Sequence, residues 1–342
     1  MGEIYLKATL ITLVLLAFAV PGFALKKLGM LGDGAKVTLG NILLYVCQPA
    51  LIISAFSVFS QDDYALIQSI NRLELLKNFA ITAAVSLIAM LAVLSLCKLV
   101  FIKYKNKAAA DIFAYIGMFS NCGFLGVPFV RMFTDGNVIA VMYLMVFNLV
   151  FVILVWTIGV LLITHDRKEI SAKKVLLNPT IISTAVALLL FFVPQVNFFM
   201  FDACSELQII PQALSTMTAP VAMLLVGIAL ADMPVKSLFT DIGVYIAGGL
   251  RLIAAPLITL IVAIAFKHMT AGCIDASLQP DYVFLSVIFA MAMSPASISV
   301  AMAELYDKQK QTTAAAYVTN TILSVITVPL VIMAVTAVWS LV

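Results

Sequence analysis

Charge is what this chain has least of. Only 11% of its 342 residues are Asp, Glu, Lys or Arg, against 63% hydrophobic residues, and the mean hydropathy is +1.13. A soluble domain carries about 25% charged residues, so the composition excludes a soluble globular protein and points to a polytopic membrane protein. Histidine is almost absent, with His165 and His268 alone in the chain. No HExxH, GxSxG or GxGD pattern occurs, which argues against an intramembrane hydrolase, and the expected answer for enzyme activity is no. The five cysteines, Cys47, Cys97, Cys122, Cys204 and Cys273, show neither CxxC nor CxxH spacing, so neither a metal site nor a disulfide framework is indicated. No run of basic and aromatic residues suggests a nucleic-acid surface. Acids are missing from the centres of the apolar segments: Glu3, Asp111, Glu304 and Asp307 all sit near segment ends. A proton-relay carboxylate of the kind used by pumps is therefore not visible, and coupling through a proton or sodium would have to use the ligand itself or neutral oxygens.

What is present is a series of apolar stretches about 20 residues long, the span of a bilayer. They lie near 5–25, 38–58, 77–102, 109–133, 137–163, 176–196, 207–231, 241–266, 282–305 and 313–341. This predicts an all-α membrane protein of ten transmembrane helices, organised as one membrane domain over 1–342. The basic pair Lys26-Lys27 follows the first apolar run instead of preceding it, so that run reads as a retained helix and not a secretory signal. The longest polar stretches, Ser60–Leu75 and His165–Lys174, are short, and the first can hold an interfacial helix or be a plain connector.

Lys and Arg distribute unevenly over the connections. One side collects fourteen: Lys26, Lys27 and Lys36; Lys98, Lys103, Lys105 and Lys107; Arg167, Lys168, Lys173 and Lys174; Lys236; Lys308 and Lys310. The other collects five: Lys7, Arg72, Lys77, Arg131 and Lys267. The positive-inside rule then puts both termini outside the cytoplasmic (inner) membrane. The halves are also related in register. Pro49 and Pro220 differ by 171 positions, Pro128 and Pro295 by 167, and Asn148 and Asn320 by 172. Five helices per half is an odd number, so the repeats, 1–165 and 170–342, are expected to be inverted across the membrane.

Two segments carry residues that break a helix. In the fourth, Asn121-Cys122-Gly123-Phe124-Leu125-Gly126-Val127-Pro128 interrupts the apolar run, and in the ninth Ser294-Pro295-Ala296-Ser297 does the same. Interrupted helices in corresponding halves are the best sequence pointer to a transporter binding site. Each break starts a second half-helix whose N-terminus carries roughly half a positive charge and free N–H donors. Pro128 and Pro295 suit the first position of those half-helices, where no N–H is needed. If the breaks cross, two positive ends converge on a site for an anion, most naturally a carboxylate. Asn121 can bind that ligand or cap freed backbone; the same choice stands for Ser294 and Ser297, and Gly126 allows close backbone approach. Asn148, Asn320 and Gln48 lie within apolar helices and can face the same site or bond between helices. Arg251 is the one charge near a segment centre. It serves either as counter-ion to an anionic substrate or as donor to the carbonyl ends of the first half-helices.

In order and spacing these motifs resemble the auxin efflux carrier family, within the superfamily of bile-acid-symporter-like transporters. The resemblance runs through nearly the whole chain: Asn41…Pro49-Ala50-Leu51, Asn121…Gly126-Val127-Pro128, Asn178-Pro179, Gly248-Gly249-Leu250-Arg251…Pro256, and Pro295 followed by Ala303-Glu304-Leu305-Tyr306. The family includes bacterial organic-acid permeases and the plant PIN-FORMED carriers. The resemblance implies that helices 4 and 9 cross at their breaks, and that helices 3–5 and 8–10 move as an elevator against a scaffold of helices 1, 2, 6 and 7 within a homodimer. It implies a small organic anion as substrate, a mono- or dicarboxylate such as malate or malonate, with no cofactor. The long cytoplasmic loop of many plant carriers is absent, and no Asp, Glu, Lys or Arg lies between Asn78 and Cys97, where plant carriers have an acid. A sodium-coupled symporter, with ions held by Asn121, Ser294 and Ser297, and a ligand sensor that does not transport are the alternatives.

Overall fold

In the computed structural model, residues 2–32, 34–59, 63, 66–67, 69–232, 241–272 and 274–342 are described. Lys236, Cys273 and most of the polar stretch 60–68 lie outside the described residues. Seven helices among them are long and apolar enough to cross a membrane. They are α1 (Gly2–Lys27), α2 (Ala35–Ser57), α3 (Arg72–Val100), α5 (Val138–Thr164), α7 (Glu206–Asp232), α8 (Ile242–Met269) and α10 (Lys310–Trp339). Between them come shorter pieces: α4a (Lys107–Met118), α4b (Cys122–Phe133), α6 (Pro179–Phe192), α9a (Pro280–Ala292) and α9b (Ile298–Leu305). The molecule is thus an all-helical, multi-pass membrane protein.

Short polar side chains begin many of these helices. Asn71, Asn106, Asn137, Asn178 and Asp241 each accept a backbone N–H from the first turn, at α3, α4a, α5, α6 and α8. Those N–H groups have no intrahelical acceptor, so a cap contributes about 1 kcal/mol at each end. α6 is shorter than the expected 176–196. Pro194 has no N–H and keeps Val193 out of the helical region, so the helix stops at Phe192.

Proline also explains three wide turns. Leu43–Cys47, Cys122–Gly126 and Leu250–Ala254 are π-helical, and each ends two residues before a proline: Pro49, Pro128 and Pro256. A proline ring clashes with the carbonyl four residues earlier and offers no donor to it; opening the preceding turn relieves both.

Packing sorts the helices. α1 lies against α7, and α2 against α6 and the first part of α7, while α3 packs on α4a, α5 and α8, and α9a on α5 and α8. α1 and α7 approach closely because glycines face backbone. A Cβ on Gly227 would stand 2.0 Å from the Ala19 carbonyl oxygen and 2.7 Å from the Phe23 nitrogen. Neither helix backbone can yield locally, so Gly227→Ala is expected to cost at least about 1–3 kcal/mol. Gly249→Ala, which would meet nothing within 4 Å, is expected to be neutral or to stabilise by up to about 1 kcal/mol. Melting of the two variants in detergent checks the pair; equal melting points would contradict the close packing.

Candidate functional site

The two breaks meet. Helix α4a ends at Met118 and Phe119 turns to an extended backbone; α9a ends at Ala292 and Met293 does likewise. Ser120 and Pro295 then form an antiparallel bridge. The Asn121 N–H donates to the Ser294 carbonyl at 2.8 Å, and the Ala296 N–H to the Phe119 carbonyl at 3.0 Å. Both donors flank the paired residues, so the bridge asks nothing of Pro295, which has no N–H to give. This two-strand contact satisfies backbone groups that a broken helix would otherwise leave bare in hydrocarbon. Only Pro128 comes near the position expected of it, in the first turn of the regular α-helix Val127–Phe133. Pro295 sits in the bridge, three residues ahead of α9b. Helical backbone in α4b already starts at Cys122, and Pro128 begins only its regular α-turns.

Four helix ends converge here, and their two signs are treated differently. Arg251 projects from the π-turn of α8 and is fully buried. It donates at 3.0 Å to the carbonyls of both Gly117 and Met118, and also to the Met291 carbonyl. Its guanidinium therefore lies on the negative C-terminal ends of α4a and α9a. Among the described residues, no charged side chain opposes the positive N-terminal ends at Cys122 and Ile298. Cys122, Gly123 and Phe124 head their half-helix, where N–H groups lack intrahelical acceptors.

A narrow cavity opens beside those N-termini, with a volume of ≈ 20 Å³, room for about one water. Gln48 of α2, Asn121 and Gly123 of the first break, Asn148 of α5 and Ser297 of the second break line it. Gln48, Asn121 and Asn148 are buried, with 5%, 3% and 2% of their surface exposed. Asn121 Nδ2 and the Ser294 hydroxyl, both buried, have no hydrogen-bond partner among the described residues. Asn148 Oδ1 accepts from the Cys122 thiol at 3.5 Å. A side chain at position 123 would press on it, since a Cβ there would lie 3.1 Å from that oxygen. Ser120, Asn178 and Thr180 add further polar groups to the lining, and the rest of it is apolar or aromatic, with Phe124, Phe151 and Trp156 among it.

The remaining residues singled out in the sequence lie elsewhere. Asn320, the counterpart of Asn148, does not line the cavity; its Nδ2 donates to the Val244 carbonyl at 3.2 Å and its oxygen lies against Gly248. Gly126 faces Met293, and Pro128 is half-buried away from the cavity. The lining residues that escaped the sequence reading as site residues include Ser120, Trp156, Asn178 and Thr180. Trp156 follows Asn148 at helical spacing, a signal that was available. Asn178 reads as a helix cap, and its cap bond to the Thr180 N–H at 2.9 Å is real; only the packing brings it to the cavity.

A search of curated proteins finds no match to this chain. A family model described as membrane transport protein matches residues 8–332. That match reaches every helix and takes in both breaks, and the chain accordingly belongs to the auxin efflux carrier family of membrane transport proteins and is a membrane transporter.

Proposed function

We propose that the protein is a secondary carrier for a small organic anion that binds through a carboxylate at the crossing of the two breaks. The observation that carries this reading is the asymmetry of the four helix ends. Arg251 covers the negative ends of α4a and α9a, while the positive ends of α4b and α9b face a cavity holding an unpartnered amide donor, Asn121 Nδ2. Two half-charges make about one positive charge, which matches one carboxylate. The lining contains no Lys, Arg or His, so a second carboxylate would go uncompensated. Malonate and malate fit best as singly charged ions, and monocarboxylates fit without restriction.

In this reading the chain crosses the membrane ten times, each broken helix counting as one crossing, in two inverted five-helix repeats. The antiparallel pairing of Ser120 with Pro295 suits such a two-fold. A contracted cavity of ≈ 20 Å³ cannot hold a dicarboxylate, so substrate entry has to widen it, and in this reading helices 3–5 and 8–10 move relative to helices 1, 2, 6 and 7. The elevator motion, within a homodimer, supplies that displacement. Both termini face outward from the inner membrane. With no acid or His in the lining, a coupling proton travels on the substrate, and a sodium ion would need the oxygens of Asn121, Ser294 and Ser297.

Uptake of labelled malonate, malate and a monocarboxylate into proteoliposomes tests the proposal, with and without proton and sodium gradients. Saturable uptake is expected, and for the dicarboxylates it should rise as the pH falls towards their second ionisation. Failure of every anion under every gradient, by protein of proven fold, would leave the sensor reading. Strict dependence on a sodium gradient would replace this mechanism with sodium symport.

A further inference from the structure

Four primary amides line the cavity at the crossing, and they come from four elements: Gln48 of α2, Asn121 of the first break, Asn148 of α5 and Asn178 at the head of α6. None has more than 9% of its surface exposed. Two are oriented by the protein itself. The Cys122 thiol donates to Asn148 Oδ1 at 3.5 Å, and the Thr180 N–H donates to Asn178 Oδ1 at 2.9 Å. Each Nδ2 is thereby left as the free end. Neither of these Nδ2 groups, nor Asn121 Nδ2, nor the Gln48 amide hydrogen-bonds to a described residue. Buried polar groups in folded proteins are almost always paired, so unpaired donors gathered on one cavity point to a ligand that pairs them.

The number of donors says what that ligand carries. Each amide brings two N–H groups, whereas a carboxylate accepts about four hydrogen bonds in all. Four amides and two helix ends exceed one carboxylate, so the set calls for a second acceptor on the ligand. Its charge follows from the lining, which contains no Lys, Arg or His and no Asp or Glu. A second carboxylate would lack a counter-charge there, and an ammonium group would lack one equally. The second acceptor is therefore uncharged. The amides also divide by packing: α5 lies against the first break, and α2 against α6. Asn121 and Asn148 thus belong with the helix ends that take the carboxylate, and Gln48 and Asn178 form a separate pair.

We propose that the site selects a small carboxylate with an uncharged oxygen beside it, a hydroxyl, an oxo group or a protonated carboxyl, and that Asn178 and Gln48 read that oxygen. The inference rests on the carboxylate site argued above and adds its selectivity. Asn178 is then a specificity-determining residue as well as a helix cap, its Oδ1 serving α6 and its Nδ2 the ligand. Gln48, with both ends of its amide free, can donate to an oxo group or accept from a hydroxyl. Simple fatty acids lack the second acceptor, and amino acids bring a cation that nothing in the lining balances.

Lactate, propanoate and alanine test this, because they differ only in a hydroxyl, a hydrogen or an ammonium group on one carbon. Calorimetric titration of the detergent-solubilised protein at neutral pH reads their binding without requiring transport. Lactate is expected to bind about fivefold more tightly than propanoate, the effect of one hydrogen bond, and alanine more weakly than either. In Asn178→Ser the hydroxyl keeps the cap, so melting stays close to wild type, but the amide donor is gone. The lactate preference should largely vanish in that variant and in Gln48→Met. Asn121→Ala should weaken lactate and propanoate alike and keep their ratio. The proposal is overturned if wild-type protein does not prefer lactate to propanoate, if alanine binds as well as lactate, or if the preference survives in Asn178→Ser or Gln48→Met; the carboxylate site then stands without it. If no anion binds, malonate included, both fall. Should the preference appear and depend on Asn178 while uptake fails, the carrier reading falls and the selectivity stands.

Discussion

Replacing Arg251 with methionine is expected to abolish stable folding, the largest effect of any single substitution in the chain. Methionine approximates the length of the side chain and leaves no large void, so the loss is one of hydrogen bonds. The carbonyls of Gly117, Met118 and Met291 would lose their shared donor at a fully buried position. Each stranded group costs about 1–3 kcal/mol, so roughly 3–9 kcal/mol is at stake, against a total stability on the order of 5–15 kcal/mol for a folded domain. Arg251→Lys keeps the charge but not the fork that spans two helix ends, and an intermediate loss is expected. Thermal stability of detergent-solubilised protein, followed by size-exclusion chromatography, measures both. A stable Arg251→Met protein that no longer binds an anion would transfer this charge from the helix ends to the ligand.

Asn121 should behave in the opposite way: binding is lost and stability is not. Its Nδ2 is buried without a partner, so removing it in Asn121→Ala strands nothing and leaves the melting temperature close to wild type. A hydrogen bond to a carboxylate contributes about 1.5–3 kcal/mol, and its loss should weaken anion binding roughly 10- to 100-fold. Asn121→Asp preserves the shape and adds a negative charge opposite the two helix N-termini. Uptake by that variant should fall to background, because its carboxylate occupies the charge intended for the ligand. Calorimetric titration with malonate, beside initial uptake rates, checks both substitutions. Unaltered affinity in a well-folded Asn121→Ala protein would remove the proposed site.

Much of this molecule was legible in one dimension, because a bilayer imposes a one-dimensional rule. An apolar stretch has to be long enough to cross, and the seven long helices follow the hydropathy pattern closely, with caps where Asn or Asp precedes the apolar run. Proline and glycine acted locally as well: each of Pro49, Pro128 and Pro256 altered the turn before it, and the breaks fell at Asn121 and Ser294. What the chain alone left open was every choice between equivalent partners. Arg251 had two roles available, and the carbonyls of Gly117, Met118 and Met291 became its partners only when α4a, α8 and α9a packed together. Asn148 and Asn320 look alike at an offset of 172, yet one lines a cavity and the other is held by Val244 and Gly248, because the helix facing each differs. Asn178 carries an N-cap in any context and a place in the cavity in this one. Sequence determined where polar groups interrupt the hydrocarbon-spanning helices, since that cost is set by the bilayer. Tertiary structure decided which interruption satisfies which, since a buried hydrogen-bonding group takes whichever partner the packing brings within about 3 Å.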